Sequence, residues 1–301
     1  MRNIINIVDR KRWGLLENAR AVDFFARSLG DTSTTYSVLD SGGLKIWKLL
    51  SEKNSTIIIW SLGIVTLFIP FLRLRNKIIF ICHEPGGFMQ RYKKNDGLFY
   101  SIYVSLYELM MFFSHYVVTP NKNNAEKFGI HYLPLLYRPI SSFESEFLST
   151  ESKYCIYYLG RLDSRRGADL FLLLKKELSH LYDFKFYPCD GVGFEEQDKI
   201  TYTRQSGCVF NYYNVRHNQS GVTSDSLRLN LPVIVSDFDY ICDDIETHGI
   251  GKVVDSNAVG LNDFITAIEE LSVITYTDEI LHYYNVNFGK TAFEKFWTEI
   301  L

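Results

Sequence analysis

The sequence predicts an α/β protein made of two doubly wound, Rossmann-like domains in tandem. Three observations predict it. Short apolar runs bounded by turn residues alternate with longer stretches of helical periodicity, the pattern of parallel strands covered on both faces by helices. The alternation breaks once, at about residues 140–152, and then resumes. The chain has 301 residues, 47% hydrophobic and 22% charged, which is globular and long enough for two domains of ordinary size.

In the first half, NIINIVD reads as a strand and LLENARAVDFFARSLG as an amphipathic helix closed by Gly30. TTYSVLD, STIIIWS, KIIFICH and HYVVTP are further strands. Between them GLKIWKLLSE, LFYSIYVSLYELMMFFS and NKNNAEKFG read as helices. The stretch HYLPLLYRPISSFESEFLSTESK holds two prolines and no helical period, and it marks the boundary. After it, YCIYYLG, FKFYP, GCVFNYY, PVIVSD and GKVVD are strands, while ADLFLLLKKELSHL and LNDFITAIEEL are helices. In NFGKTAFEKFWTEIL the apolar residues Phe293, Phe296, Trp297 and Ile300 recur at helical spacing. The expected domains are residues 1–145 and 146–284, with a terminal helix over 285–301.

Composition excludes several classes. The five cysteines are odd in number and form no CxxC pair, so they read as reduced core residues of a cytoplasmic protein and not as a disulfide framework or zinc site. His115, His131, His180, His248 and His282 have no metal-ligand spacing. No GxGxxG follows a strand, which argues against a dinucleotide oxidoreductase. Net charge is −3, yet residues 1–140 hold 18 Lys+Arg against 10 Asp+Glu and residues 141–301 hold 14 against 25. The basic residues are dispersed and form no stripe, so nucleic acid is not the expected partner. A membrane surface or a phosphorylated acceptor fits the basic half. The run of 17 uncharged residues from Thr56 is at the lower limit for a membrane span, and Gly63 and Pro70 interrupt it. A strand followed by a buried helix accounts for it, with peripheral attachment through Phe68 and Phe71 beside Arg73, Arg75 and Lys77.

In doubly wound sheets ligands bind beyond the carboxyl ends of strands. In YYLGRLDSRRGADLFLLL a strand ends at Gly160, and Arg161, Arg165 and Arg166 precede a helix. Cations at a helix N-terminus oppose the macrodipole, so several together point to a shared anion; Asp163 and Asp169 offer local pairing instead. In NQSGVTSDSLRLNLPVIVSD, residues 218–237, a loop meets a helix starting at Gly221, with Ser220 as its cap. Gly221 lets a ligand approach backbone N–H groups, and Asp225 lies one turn in, where a carboxylate could accept from sugar hydroxyls. Asn230 suits a left-handed helix end before Pro232. His83 and Glu84 end a first-half strand ahead of Pro85, Gly86 and Gly87.

Together these elements resemble the family-4-like glycosyltransferases of the GT-B fold. GRLDSRRGADL is similar to that family's GRL…KG…L element, with Arg161 at its Arg and Arg166 at its Lys. SGVTSDSLRLNLPVIVSD is similar to its EGFG…EA…G-PVIAS element, with Asp225 at the second Glu. PCDGVG, which contains Asp190, resembles its glycine-rich turn. The family's first Glu falls at His217 here.

The resemblance implies two Rossmann-like domains facing across a cleft, with the terminal helix crossing back to the first. It implies sugar transfer from a nucleoside diphosphate sugar to a saccharide or lipid-linked acceptor in surface polysaccharide biosynthesis, retaining and metal-independent, with no cofactor. The N-terminal domain would take the acceptor and the C-terminal domain the nucleotide sugar. Arg161 and Arg166 would hold the diphosphate. Asp190, His217, Gln219, Ser220, Gly221, Val222 and Asp225 would line the donor site, Asp225 at the ribose, and Asp237 would face the sugar. His83 or Glu84 would meet a sugar hydroxyl or act as base. Arg73, Arg75, Arg91, Lys93 and Lys94 would meet the acceptor or the cytoplasmic face of an inner membrane. Two other readings remain: a non-catalytic nucleotide-sugar-binding or partner subunit, and a nucleotide-sugar epimerase of the same architecture.

Overall fold

The first apolar run forms strand β1 (Asn3–Val8), and its side chains alternate between two cores as the period of a strand requires. Ile4 and Val8 face one side, Ile5 and Ile7 the other. Asn6 is the polar exception, and it is fully engaged. Its Nδ2 donates to Asp23 Oδ1 at 2.7 Å, and its Oδ1 accepts from Trp60 Nε1 at 2.8 Å. A buried amide is tolerated when both its ends are paired.

The computed structural model describes residues 1–8, 13–37, 43–82, 98–120, 122–133, 153–160, 162–187, 207–214, 221–257, 260–273 and 279–301. β1 pairs in parallel with β2 (Thr32–Ser37) and β3 (Ser55–Ile59). Beyond β3 follow β4 (Lys77–Ile81), β5 (Tyr116–Thr119) and β6 (His131–Tyr132), all parallel, giving the order β2-β1-β3-β4-β5-β6. The sheet runs one way from β1 to β2 and the other way from β3 onward. Right-handed crossovers then put α1 (Trp13–Ser28) on one face. They put α2 (Gly43–Ser51), α3 (Ile69–Arg73) and α4 (Leu98–Phe113) on the other. The two cores agree: Ala19, Val22 and Phe25 pack on one face, Leu49, Ile69, Leu72 and Met110 on the other. Lys122–Phe128 forms α5.

A second parallel sheet holds β7 (Cys155–Leu159), β8 (Asp183–Tyr187), β9 (Gly207–Asn211), β10 (Val233–Ser236) and β11 (Gly251–Val254) in the order β11-β10-β9-β7-β8. Helices α6 (Ala168–Leu178) and α9 (Leu261–Val273) cover one face through Phe171, Leu174, Phe264 and Ile268. Helices α7 (Gly221–Arg228), α8 (Cys242–Thr247) and α10 (Glu279–Asn287) cover the other through Leu227, Ile245, Tyr283 and Tyr284. Burial pushes the thiols of Cys155 and Cys208 up to about 11 and about 12, so both stay protonated in this core.

The chain divides into two compact units, residues 1–139 with Phe293–Leu301, and residues 140–292. The last helix, α11 (Lys290–Ile300), joins the first unit through Phe293, Trp297 and Ile300. Trp297 lies 6.2 Å from Trp60 and Phe293 lies 6.0 Å from Phe25, ring centre to ring centre. Burying side chains of this size contributes ~1.5–3 kcal/mol each, which is what ties the end of the chain to its beginning.

The structure departs from the sequence reading at four places. The run after β3 is not a buried helix but a 3-10 turn (Ile64–Phe68) leading into five-residue α3, and Leu67 and Phe71 are exposed. Pro70 sits in the first turn of α3, where its missing N–H has no partner to lose. Strand β6 and helices α8 and α10 had no distinct signal, two of them because they are only two and six residues long. Among the described residues no helix is long and apolar enough to cross a membrane.

Candidate functional site

The order β11-β10-β9-β7-β8 has a switch point between β7 and β9, because the chain leaves β7 for β8 and returns on the other side. Ligands of open α/β sheets bind beyond the carboxyl ends of strands at such a point. The segments following these two strands contain the residues of interest.

β7 ends at Leu159, and Gly160 follows with φ +110°, a conformation that disfavours any side chain. The Arg166 guanidinium lies against it: a Cβ at Gly160 would be 2.5 Å from Arg166 Nη1. Nη2 donates to the Leu159 carbonyl at 3.1 Å. The guanidinium also stacks over the rings of Tyr213, at 5.4 Å, and Tyr158, at 6.0 Å. Its Nε is buried without a hydrogen-bond partner, and no carboxylate among the described residues lies within 4.0 Å of it. Arg166 is therefore positioned by backbone and aromatic groups, and among the described residues no carboxylate forms an ion pair with it.

Its neighbour Arg165 has the opposite fate. Asp163 caps the 3-10 turn Ser164–Arg166, accepting from the Arg165 N–H at 2.9 Å. It also accepts from Arg165 Nη2 at 2.6 Å and from Nε at 3.0 Å. These bonds hold the Asp163 carboxyl down at about 2. Gly167, in the left-handed conformation at φ +69°, then turns the chain into α6, where a Cβ would be 2.9 Å from the Tyr212 carbonyl. Asn214, just after β9, donates its backbone N–H to Arg165 O at 3.1 Å and its Nδ2 to Ser164 O at 3.0 Å. The turn after β7 and the segment after β9 are thus fastened together.

α7 begins at Gly221, whose missing side chain faces open space. The helix ends as expected, with Asn230 at φ +57°. Beneath its first turn lies a buried polar network that sequence reading missed. Asn211, the last residue of β9, donates Nδ2 to Thr223 Oγ1 at 2.8 Å. Thr223 Oγ1 donates to Asp239 Oδ2 at 3.0 Å, and Asp239 Oδ1 accepts from the Ile241 N–H at 3.2 Å. Burial raises the Asp239 carboxyl to about 6 despite these bonds. The only sequence signals were an asparagine closing an apolar strand and an aspartate two residues after Asp237.

The other expected residues separate. Asp225 is partly exposed and lies 3.7 Å from Nη2 of the buried Arg228, a backing cation that its i,i+3 spacing could have suggested. The Val222 side chain packs against the core. Asp237 is exposed, and its Oδ1 accepts from the Ser256 N–H at 2.7 Å, linking the loop after β10 to the loop after β11. Asp237 and Asp239, two residues apart in sequence, therefore part company: Asp237 is at the surface and Asp239 is inside the network. Arg73 and Arg75 lie at the amino end of β4, on the opposite edge of their sheet from its strand carboxyl ends. His83, Glu84, Arg91, Lys93, Lys94, Arg161, Asp190, His217, Gln219 and Ser220 lie outside the described residues. Among the described residues no group of His, Cys, Asp and Glu is arranged to hold a metal ion.

Solved structures share this architecture over the whole chain. Sucrose-phosphate synthase from Thermosynechococcus elongatus superimposes with a TM-score of 0.69 at 10% identity, covering 99% of this chain and 98% of that one. WaaG, a glycosyltransferase involved in lipopolysaccharide biosynthesis, gives 0.62 at 10% identity, covering 99% of each. HepE from Anabaena, solved in complex with UDP and glucose, gives 0.63 at 11% identity, covering 99% of each. The chain has the GT-B fold of glycosyltransferases. No protein-family model matches the sequence, and no curated protein matches it significantly. Identity near one residue in ten establishes the GT-B architecture alone, and chemistry has to be argued from the site.

Proposed function

We propose that the protein transfers a sugar from a nucleoside diphosphate sugar to a saccharide or lipid-linked acceptor, in the assembly of a surface polysaccharide. One observation carries the reading: the Arg166 guanidinium is held at the switch point with no ion-pair partner among the described residues, while Asp163 forms its salt bridge with the adjacent Arg165. A buried or half-buried cation kept without a carboxylate suits a site that receives an anion. Gly221 begins α7 after β9, the strand that pairs with β7, and partial positive charge at a helix N-terminus favours phosphate. The likeness to HepE, solved with UDP and glucose, and to WaaG supports the donor class and the polysaccharide setting.

In the reaction, the acceptor hydroxyl bonds to the anomeric carbon as the bond from that carbon to the diphosphate oxygen breaks. Negative charge grows on the leaving diphosphate. Arg166, together with Arg161 and the α7 N–H groups, stabilises it there, and no metal ion is needed for that task. Asp225 accepts from the ribose hydroxyls and Asp237 from the sugar. Asp190, His217, Gln219, Ser220 and the Val222 backbone complete the donor site. His83 and Glu84 serve the sugar and the acceptor proton. The reading takes transfer to proceed with retention. Residues 1–145 are assigned to the acceptor, 146–284 to the donor, and 285–301 to the returning helix.

The test is a panel of nucleoside diphosphates and their sugars read by thermal shift, followed by transfer assays on wild type, Arg161→Ala and Arg166→Ala. A ligand that binds only the folded state stabilises it by ~2.7 kcal/mol at 100 times its Kd. One nucleotide should raise the melting temperature selectively, and both variants should lose turnover while staying folded. Near-normal transfer in Arg166→Ala would sink the diphosphate assignment. Binding without transfer would favour a non-catalytic subunit, and interconversion of the free donor without an acceptor would favour an epimerase.

A further inference from the structure

One helix layer of the first unit gathers several large exposed apolar side chains. On the face of the sheet covered by α2, α3 and α4, large apolar side chains point outward. Trp47 is 72% exposed, Phe71 67%, Leu74 81% and Phe112 74%, with Leu67 and Ile102 about half exposed. Leu67, Phe71 and Leu74 recur at helical spacing, so they share one side of the turn and α3. α4 is a sixteen-residue helix with a single charged residue, Glu108, and among its described side chains only Met110 is buried. Arg73 Nη1 donates to the Phe112 carbonyl at 3.4 Å, which puts the ends of α3 and α4 side by side and merges their exposed residues into one patch.

Charge on the same layer is one-sided. In α2, α3, α4 and the turns that follow them, the exposed charges among the described side chains are Lys48, Lys53, Arg73 and Arg75 against Glu108, with Glu52 half-buried. No carboxylate among the described residues lies within 4.0 Å of Arg73 or Arg75. Arg73 and Lys77, after burial, hold His115 below its ordinary range, a sign of positive potential at this edge. A dry protein–protein core would exclude charges from among its aromatic residues. Exposed Trp, Phe and Leu interleaved with Lys and Arg are what an anionic lipid interface takes up, rings at the headgroup level and cations on the phosphates.

We propose that the α2–α3–α4 layer docks the protein peripherally on an anionic phospholipid bilayer. The inference rests on the first unit alone and does not depend on the transfer reading. It also gives Arg73 and Arg75 a role suited to their place, since they lie at the strand amino ends, away from the edge where a ligand site forms.

The experiment is flotation of the full chain with vesicles of phosphatidylcholine alone and of phosphatidylcholine mixed with phosphatidylglycerol, with tryptophan emission recorded in parallel. Of the four tryptophans, Trp60 and Trp297 are buried and Trp47 is exposed. The chain should bind the mixed vesicles and not the neutral ones, release as salt rises, and shift its emission to the blue. The shift should disappear in Trp47→Phe. The double variant Arg73→Ala/Arg75→Ala should lower the partition coefficient roughly 25-fold, about fivefold per cation. Phe71→Ser/Phe112→Ser should lose binding while its thermal shift with nucleoside diphosphates, which reads the second unit, stays as in wild type. Absence of binding, equal binding to neutral vesicles, or unchanged binding by both double variants would overturn the proposal. A wild-type dimer made monomeric by Phe71→Ser/Phe112→Ser would overturn it too, by assigning the patch to a second copy of the chain.

Discussion

Gly160→Ala isolates the logic of the candidate site, because Gly160 itself offers a ligand nothing. Its φ of +110° is costly for alanine, and a residue forced into such a conformation loses ~1–3 kcal/mol of stability. The new Cβ would also lie 2.5 Å from Arg166 Nη1, so the guanidinium must shift from its place against Leu159 O and the Tyr213 ring. If Arg166 binds the diphosphate, losing its charge-assisted bonds costs ~1.5–3 kcal/mol, or roughly 10- to 150-fold in affinity. The assay is a double-mutant cycle with Arg166→Ala, reading both nucleotide affinity by calorimetry and stability by denaturant midpoint. Each single variant should lose affinity, and the double variant should lose no more than Arg166→Ala alone. The strain at Gly160 should persist in the double variant's stability. A Gly160→Ala protein that is less stable yet binds as well as wild type would refute the placement of Arg166 at the diphosphate. A further loss of affinity in the Arg166→Ala background would refute the claim that Gly160 acts through Arg166.

Arg165→Ala should leave nucleotide affinity nearly unchanged, because Asp163 already pairs with that cation, and so exposed a pair should cost little stability. The Asp163 carboxyl is held down at about 2 against an ordinary 3.8, so wild type carries stability above pH 3.8 that is lost as pH falls toward about 2. Melting temperatures across that window should show a shallower acid loss in Arg165→Ala. Asp239 runs the other way: raised to about 6 from 3.8, it makes the folded state the better proton binder, so stability falls as pH rises from 3.8 to about 6. Asp239→Asn should remove that fall from the melting curve, and an unchanged pH profile would show that the buried carboxyl does not titrate there.

Much of this was legible in the sequence because the strands are buried on both faces. Runs such as NIINIV, KIIFI, CIYYL and VIVS can only be strands of a covered parallel sheet, and they fall in β1, β4, β7 and β10. Gly30 and Asn230 were legible as helix ends because left-handed backbone narrows the choice of residue, and their φ angles are +81° and +57°. The 64–73 segment misled because apolar composition alone does not say which way a side chain points: Leu67 and Phe71 face outward while Val65, Ile69 and Leu72 are buried. The Asn211–Thr223–Asp239 network was hidden for a different reason. Its members are 12 and 16 residues apart, on a strand, a helix and a turn, and only the fold brings them together.

The fate of the two neighbouring arginines shows why the ambiguity of SRRG could not be resolved by spacing. The acids available in that stretch allowed local pairing for either cation. The 3-10 turn decides it: Asp163 as the cap faces the N–H of Arg165, so the same carboxylate meets the Arg165 side chain and leaves Arg166 to turn back onto Gly160. Asn214 then locks that turn to the segment after β9, while Thr223 and Asp239 lock the first turn of α7 to the ends of β9 and β10. Each anchor uses buried or backbone partners, so neither has to form when a ligand arrives. A cation and a helix N-terminus fixed in advance on adjacent strands need little reorganisation as charge develops on a leaving group, and in that arrangement electrostatic stabilisation is most effective.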